Sequence, residues 1–128
     1  QEKPGSELLL AYDDPLGVTA AFNRNLLVRV NRELGGDFDV NGFTHRAIWN
    51  APAWRIEMHL VSRSRQRVRV SAAGTDIMFE AGEAIWTESS YKHRFEDLAP
   101  MLERVGFRTI GQWQDRGFAL TLAAASRT

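Results

Sequence analysis

The chain contains no cysteine, which excludes disulfides and thiolate metal sites. Such a composition is compatible with a reducing cytoplasm, and a cytoplasmic location is the expectation. Long apolar runs are also missing. None approaches the roughly 18 residues that a transmembrane helix needs, and no signal peptide is visible. Net charge is absent as well, because 16 basic and 16 acidic residues cancel. The chain therefore has no global attraction to nucleic acid or to an anionic membrane, and neither is expected as a partner. Ten glycines are present, but none forms Gly-x-Gly-x-x-Gly after a strand, and there is no P-loop. The chain thus lacks a recognisable nucleotide cradle of its own. Internal repeats and low-complexity tracts are absent.

The 128 residues, 44% hydrophobic and 25% charged, suit one soluble globular domain with a modest core. The polar start, QEKPGSE, reads as a flexible leader or the cut end of something longer, and residues 1–14 are assigned to a leader and linker. Asp14 can cap a following helix with Pro15 at its first position. The strongest helical signal follows. Val18, Ala21, Phe22, Leu26 and Val30 recur at three- and four-residue spacing, and Gly35-Gly36 closes the helix. DFDVNGFTHRAIWNAPAW is turn-rich and carries no clear assignment. In RIEMHLV, Ile56, Met58 and Leu60 alternate with Arg55, Glu57 and His59, the pattern of a half-buried strand. RVRV, DIMFE and AIWTESS read as further strands, so residues 55–90 predict an antiparallel meander. Phe95, Leu98, Met101, Leu102 and Val105 then predict a helix closed by Gly106. FRTIGQW and FALTLAAA predict a hairpin around Gln114-Asp115-Arg116-Gly117. The class is α+β: a long N-terminal helix, an antiparallel meander, then a helix and terminal hairpin.

Three groups of residues invite a chemical reading. Arg63, Arg65, Arg67 and Arg69 alternate, but without interleaved aromatics they fit the solvent face of an edge hairpin better than a phosphate grip. His45, His59 and His93 match no metal-ligand spacing, so no metal is expected. In the extended run AIWTESS, alternation places Trp86, Glu88 and Ser90 on one side. An aromatic face beside a carboxylate and a hydroxyl suits a small ligand such as an imidazole. The same residues also suit a strand end running into a polar loop.

The stretches LLAYDDPLGVTAAFNRNLLVRVNRELGGDFD, FTHRAIWN, RIEMHLVSR, FEAGEAIWTESSYKH and GFRTIGQWQD resemble the C-terminal part of the S-adenosylmethionine-dependent histidine Nα-methyltransferases, which open the ergothioneine pathway. The resemblance covers nearly the whole chain from about Leu8. It implies that residues 15–92 belong to a substrate-binding domain. Residues 93–128 would be the last helix and hairpin of a class I methyltransferase fold. It also implies an S-adenosylmethionine loop in a missing N-terminal portion, so this chain alone is not expected to be active.

Carried over by position, Tyr12 of AYDD matches the tyrosine that bonds the substrate carboxylate. Glu88 and Ser90 of TESS match the pair that reads the imidazole, and Met58 of IEMHL matches a pocket wall. The implied reaction moves methyl groups to the α-amine of L-histidine three times, giving hercynine. Under that reading Glu88 positions the substrate and does not act as a nucleophile, and no catalytic residue is assigned. Two alternatives stand beside it: a non-catalytic binding or interaction module, and a methyltransferase for another amino acid. An isolated terminal hairpin is expected to self-associate or repack. Tyr91, Lys92 and His93 read as the exit from the substrate domain.

Overall fold

The structure is a computed structural model that describes residues 5–126. It divides into two compact units, Gly5–Tyr91 and the segment from Lys92 onward. The α+β class stands, with antiparallel pairing between all the strands described.

The first unit opens with helix α1, Gly5–Tyr12. Of the leader and linker read over 1–14, residues 1–4 lie outside the described residues and the stretch from Gly5 to Tyr12 is helix, with Leu8 and Leu9 half-buried and Leu10 exposed. Helix α2, Val18–Leu34, follows. Its start differs from the expected cap. Gly17, at φ 74°, precedes Val18, so Pro15 lies outside the helix. Asp14 still serves the helix, since its carboxylate accepts from the backbone N–H groups of Val18 and Thr19 at 3.0 and 2.9 Å. Those bonds stabilise the ionised form and lower its pKa from 3.8 to about 2. Gly35, at φ 64°, ends the helix as expected, and its N–H returns to the Val30 carbonyl.

The buried face of α2 is not the expected stripe. Asn23 and Leu27 are buried, whereas Val18, Phe22 and Leu26 are 66%, 64% and 42% exposed. At about 100° per residue, Asn23, Leu27 and Val30 form a second stripe roughly a quarter-turn away, and that stripe meets the sheet. The apolar spacing was real, but its first half faces outward in this chain.

The sheet is β1 (Phe43–Asn50), β2 (Arg55–Ser62) and β5 (Ala84–Tyr91), in the order β1-β2-β5. β3 (Gln66–Val70) and β4 (Thr75–Phe79) pair with each other in a separate hairpin, and Val70 also bridges Gly36. The simple meander is therefore corrected: a hairpin is inserted between two strands that pair directly, and the unassigned FTHRAIWN supplies an edge strand. The inserted hairpin folds over the end of the sheet. Leu27, Phe43, Leu60, Val68, Val70 and Phe79 form one core, and Phe43 and Phe79 meet edge to face at 5.3 Å. The alternating arginines lie on the solvent side. Arg67 bonds Asp76 in a bidentate pair, Arg65 reaches Glu80 at 3.2 Å, and Arg63 donates to Thr44.

In the second unit, α3 (Phe95–Arg104) packs on β6 (Phe107–Asp115) and β7 (Phe118–Ala125). Arg116 and Gly117 both have positive φ, 45° and 84°, as a two-residue type I′ hairpin turn requires. One hairpin face carries Trp113, Phe118, Leu120 and Leu122, each more than half exposed.

Two stability outcomes follow. Phe43 is fully buried at the centre of the aromatic core, so Phe43→Ala should cost about 3–5 kcal/mol in chemical denaturation. Glu57, also buried, accepts hydrogen bonds from Asn50, Arg55 and His59, which lower its carboxyl from 4.5 to about 2. A folded-state pKa below the unfolded one stabilises the fold above the unfolded value. That contribution is lost as pH falls from 4.5 towards 2. The melting temperature should therefore fall over this window, and Glu57→Gln should flatten that part of the profile.

Candidate functional site

Strand register assigns side chains to the two faces of the sheet. Residues directly opposite on paired strands point the same way. Ile56 lies opposite Ser90, and Met58 lies opposite Glu88. One residue further the register shifts, so that His59 lies opposite Trp86. Thr87 is the extra residue of a β-bulge. The bulge corrects one expectation: Trp86 does not share a face with Glu88 and Ser90.

The face carrying Met58, Glu88 and Ser90 is the one on which α1 and α2 lie. Tyr12, the last residue of α1, bonds through its hydroxyl to Ser90 Oγ at 2.8 Å. The four sequence-predicted site residues therefore fall within one unit and on one side of one sheet. Met58 is buried, Tyr12 and Ser90 are half-buried, and Glu88 is exposed. Among the described residues, no hydrogen bond or ion pair engages the Glu88 carboxylate. The Tyr12–Ser90 pair shares one proton between its oxygens. Either hydroxyl can be the donor in that bond. The arrangement offers an acceptor anion, a hydroxyl pair and an apolar thioether wall. Such a set can hold a small molecule that has an N–H donor at one end and an anionic acceptor at the other.

The opposite face is built around a carboxylate. Glu57 Oε2 accepts from Arg55 Nε at 2.7 Å and from Asn50 at 3.0 Å, and its other oxygen accepts from His59 Nε2 at 3.1 Å. The Arg55 guanidinium lies 4.5 Å from the Trp86 ring centroid and donates to the Tyr91 hydroxyl at 2.8 Å. His59 stacks on Trp86 with 6.0 Å between ring centroids. Tyr91, unassigned from sequence, therefore belongs to this cluster. These groups satisfy one another, and the cluster braces β2 against β5.

Two residues that sequence reasoning missed stand behind the candidate site. His45, on β1, bonds the Tyr12 carbonyl through Nε2 at 2.8 Å. Asn23, on α2, donates to His45 Nδ1 at 2.9 Å and to the His59 carbonyl at 3.2 Å. The spacing of Asn23 with Leu27 and Val30 was the available signal, a polar residue in phase with a buried stripe.

The described residues do not fit a nucleoside cofactor. Every strand pair is antiparallel, and the strand-to-helix passage from β5 to α3 runs through Lys92, His93 and Arg94 without glycine. No backbone cradle for a sulfonium nucleoside is formed among the described residues.

Comparison with known proteins identifies the family. Residues 1–127 match the family described as histidine-specific methyltransferase, SAM-dependent. The chain is 48% identical over 124 residues to the histidine N-alpha-methyltransferase of Mycobacterium tuberculosis, covering 95% of this chain and 39% of that protein. Its similarity to the Mycolicibacterium smegmatis histidine N-alpha-methyltransferase is also 48%, over 94% of this chain and 38% of the relative. A more distant relative is ergothioneine biosynthesis protein 1 of Schizosaccharomyces pombe, 24% identical over 82% of this chain and 14% of that protein. The chain thus spans about two-fifths of the length of the bacterial relatives it matches. With a match across almost all of its residues, this chain belongs to the SAM-dependent, histidine-specific methyltransferase family.

Proposed function

We propose that this chain is the substrate-recognition part of an enzyme that transfers methyl groups from S-adenosylmethionine to the α-amine of L-histidine, giving hercynine. One observation carries the reading. The β2–β5 register sets Met58 opposite Glu88 and Ile56 opposite Ser90, while Tyr12 reaches Ser90 from α1. Four residues far apart in sequence thereby converge on one side of the sheet, with a carboxylate free to accept.

In this reading Glu88 accepts the imidazole N–H, and Ser90 adds a second polar contact to the ring. Tyr12 turns its hydroxyl to the substrate carboxylate, and Met58 walls the side chain. Together they fix the imidazole end so that the α-amine presents its lone pair, while the cofactor, when bound, supplies the electrophilic methyl group. Such positioning lowers the barrier by alignment and by excluding water. No side chain of this chain is assigned to the chemical step.

The family description and the names of the relatives support the substrate and the cofactor. We assign cofactor binding to the part of the relatives' length that lies beyond this match, since the described residues form no cradle. The same missing portion would cover the exposed apolar residues of α2 and of the β6–β7 hairpin. A hairpin left with both edges and one apolar face open is prone to pair with another copy.

Two measurements test these assignments. In the full-length enzyme, Glu88→Ala should raise the KM for L-histidine roughly 10- to 100-fold, since a charged hydrogen bond contributes about 1.5–3 kcal/mol. Unchanged selectivity for histidine over phenylalanine would remove Glu88 from the recognition site. By calorimetry, this chain alone should fail to bind S-adenosylmethionine, and by sedimentation it should associate with rising concentration. Tight binding of the cofactor would place its site within these residues and overturn the division of labour.

A further inference from the structure

We propose that Asn23 and His45 are positioning residues: a buried relay that sets both ends of the histidine pocket without touching the substrate. The inference rests on the proposed recognition site and extends it by two residues.

The relay begins at a helix end. The last carbonyls of any α-helix have no partner within it. Tyr12 closes α1, and its carbonyl receives a bond from the His45 ring at 2.8 Å. The Asn23 amide faces the other ring nitrogen at 2.9 Å and also faces the His59 carbonyl at 3.2 Å. A carbonyl only accepts, so the Asn23 nitrogen must be the donor in both of its bonds. His45 Nδ1 is then an acceptor, and the proton sits on Nε2, where the Tyr12 carbonyl needs it. Orientation passes without a break from α2 through β1 to α1.

The second arm of Asn23 ends at the bulge. His59 is where the β2–β5 register shifts. At that step the Thr87 hydroxyl donates to the Met58 carbonyl at 2.9 Å, and the Asn23 amide takes the next carbonyl along β2. Two side chains therefore hold consecutive carbonyls beside the residue that turns Glu88 toward Met58. Asn23 thus reaches Tyr12 through His45, and the Met58–Glu88 pair through the β2 backbone.

The burial of Asn23 argues that this arrangement is more than packing. Asn23 is fully buried, and its Oδ1 has no hydrogen-bond partner. An unpaired buried acceptor is costly, and an apolar side chain of similar size would avoid it. What the amide provides in return is a fixed ring tautomer and a fixed strand carbonyl. His45, also buried, is no nearer to being a ligand contact, because both of its ring nitrogens are already engaged.

The test uses steady-state kinetics of the full-length enzyme with a double-mutant comparison. His45→Leu should raise the KM for L-histidine about tenfold and leave the KM for S-adenosylmethionine unchanged. In a Tyr12→Phe background the same substitution should add less than about twofold, because the relay acts through Tyr12. His45→Gln, which keeps an N–H near the Tyr12 carbonyl, should restore most of the loss. An unchanged histidine KM, or effects of His45→Leu and Tyr12→Phe that multiply, would overturn the proposal.

If His45→Leu does not fold, the wild-type protein still decides. Nitrogen-15 NMR of the His45 ring should show the Nε2–H tautomer, and Asn23→Ala should mix the tautomers. An Nδ1–H ring in the wild-type protein would overturn the relay. That spectrum is independent of turnover. A wild-type enzyme that left histidine unmethylated would instead sink the proposed function, with the ring tautomer still reporting on the relay.

Discussion

The β-bulge at Thr87 is the constraint on which the rest of the first unit depends. A strand that alternates without interruption would send Trp86, Glu88 and Ser90 to the same side. The extra residue reverses that order for everything before it. Glu88 and Ser90 stay on the helix side, beside Tyr12 and Met58. Trp86 crosses to the other side, where Arg55 and His59 receive its ring. A one-residue insertion thus separates the proposed recognition face from a bracing face along one short strand.

The bracing face explains why the bulge can persist. Glu57 collects hydrogen bonds from Asn50, Arg55 and His59, so its charge is compensated within its own sheet. Removing one partner of such a buried set leaves the others exposed to a full desolvation cost. Arg55 then links Glu57 to Trp86 and Tyr91, which flank the recognition residues on β5. The cluster fastens both ends of the Glu88–Ser90 segment from behind, on the side away from the helices. On the front, Tyr12 of α1 meets Ser90, and Asn23 of α2 meets the β2 backbone.

Much of this was legible in the sequence where one physical rule governs. The glycine end of α2, the alternation of β2, and the terminal hairpin with its turn follow from local conformational preference. The candidate residues Tyr12, Met58, Glu88 and Ser90 came from resemblance, and the structure places them on one side of one sheet. The misses arise where tertiary context overrides local pattern. β1 carries His45, Ala47 and Trp49 on the helix side, a mixed set that gives no alternation. The bulge has no glycine or proline to announce it. For α2, the most apolar stripe was assumed to be the buried one. That assumption fails here because Val18, Phe22 and Leu26 face away from the sheet.

That outward stripe joins the stability of the fold to its function. Apolar surface left in water forgoes about 25 cal/mol per Å² of burial, so a helix that shows Val18, Phe22 and Leu26 to solvent contributes less than its sequence allows. The β6–β7 hairpin shows the same pattern through Phe118, Leu120 and Leu122. In each unit an apolar side is left exposed among the described residues. The geometry of the proposed recognition site rests on register, the bulge and the Asn23–His45–Tyr12 bonds, all of them internal to Gly5–Tyr91. Stability, by contrast, would rise if those exposed faces were covered. Under the proposed function, recognition and stability draw on different residues, and a substitution at Asn23 should affect the first more selectively than one at Phe22.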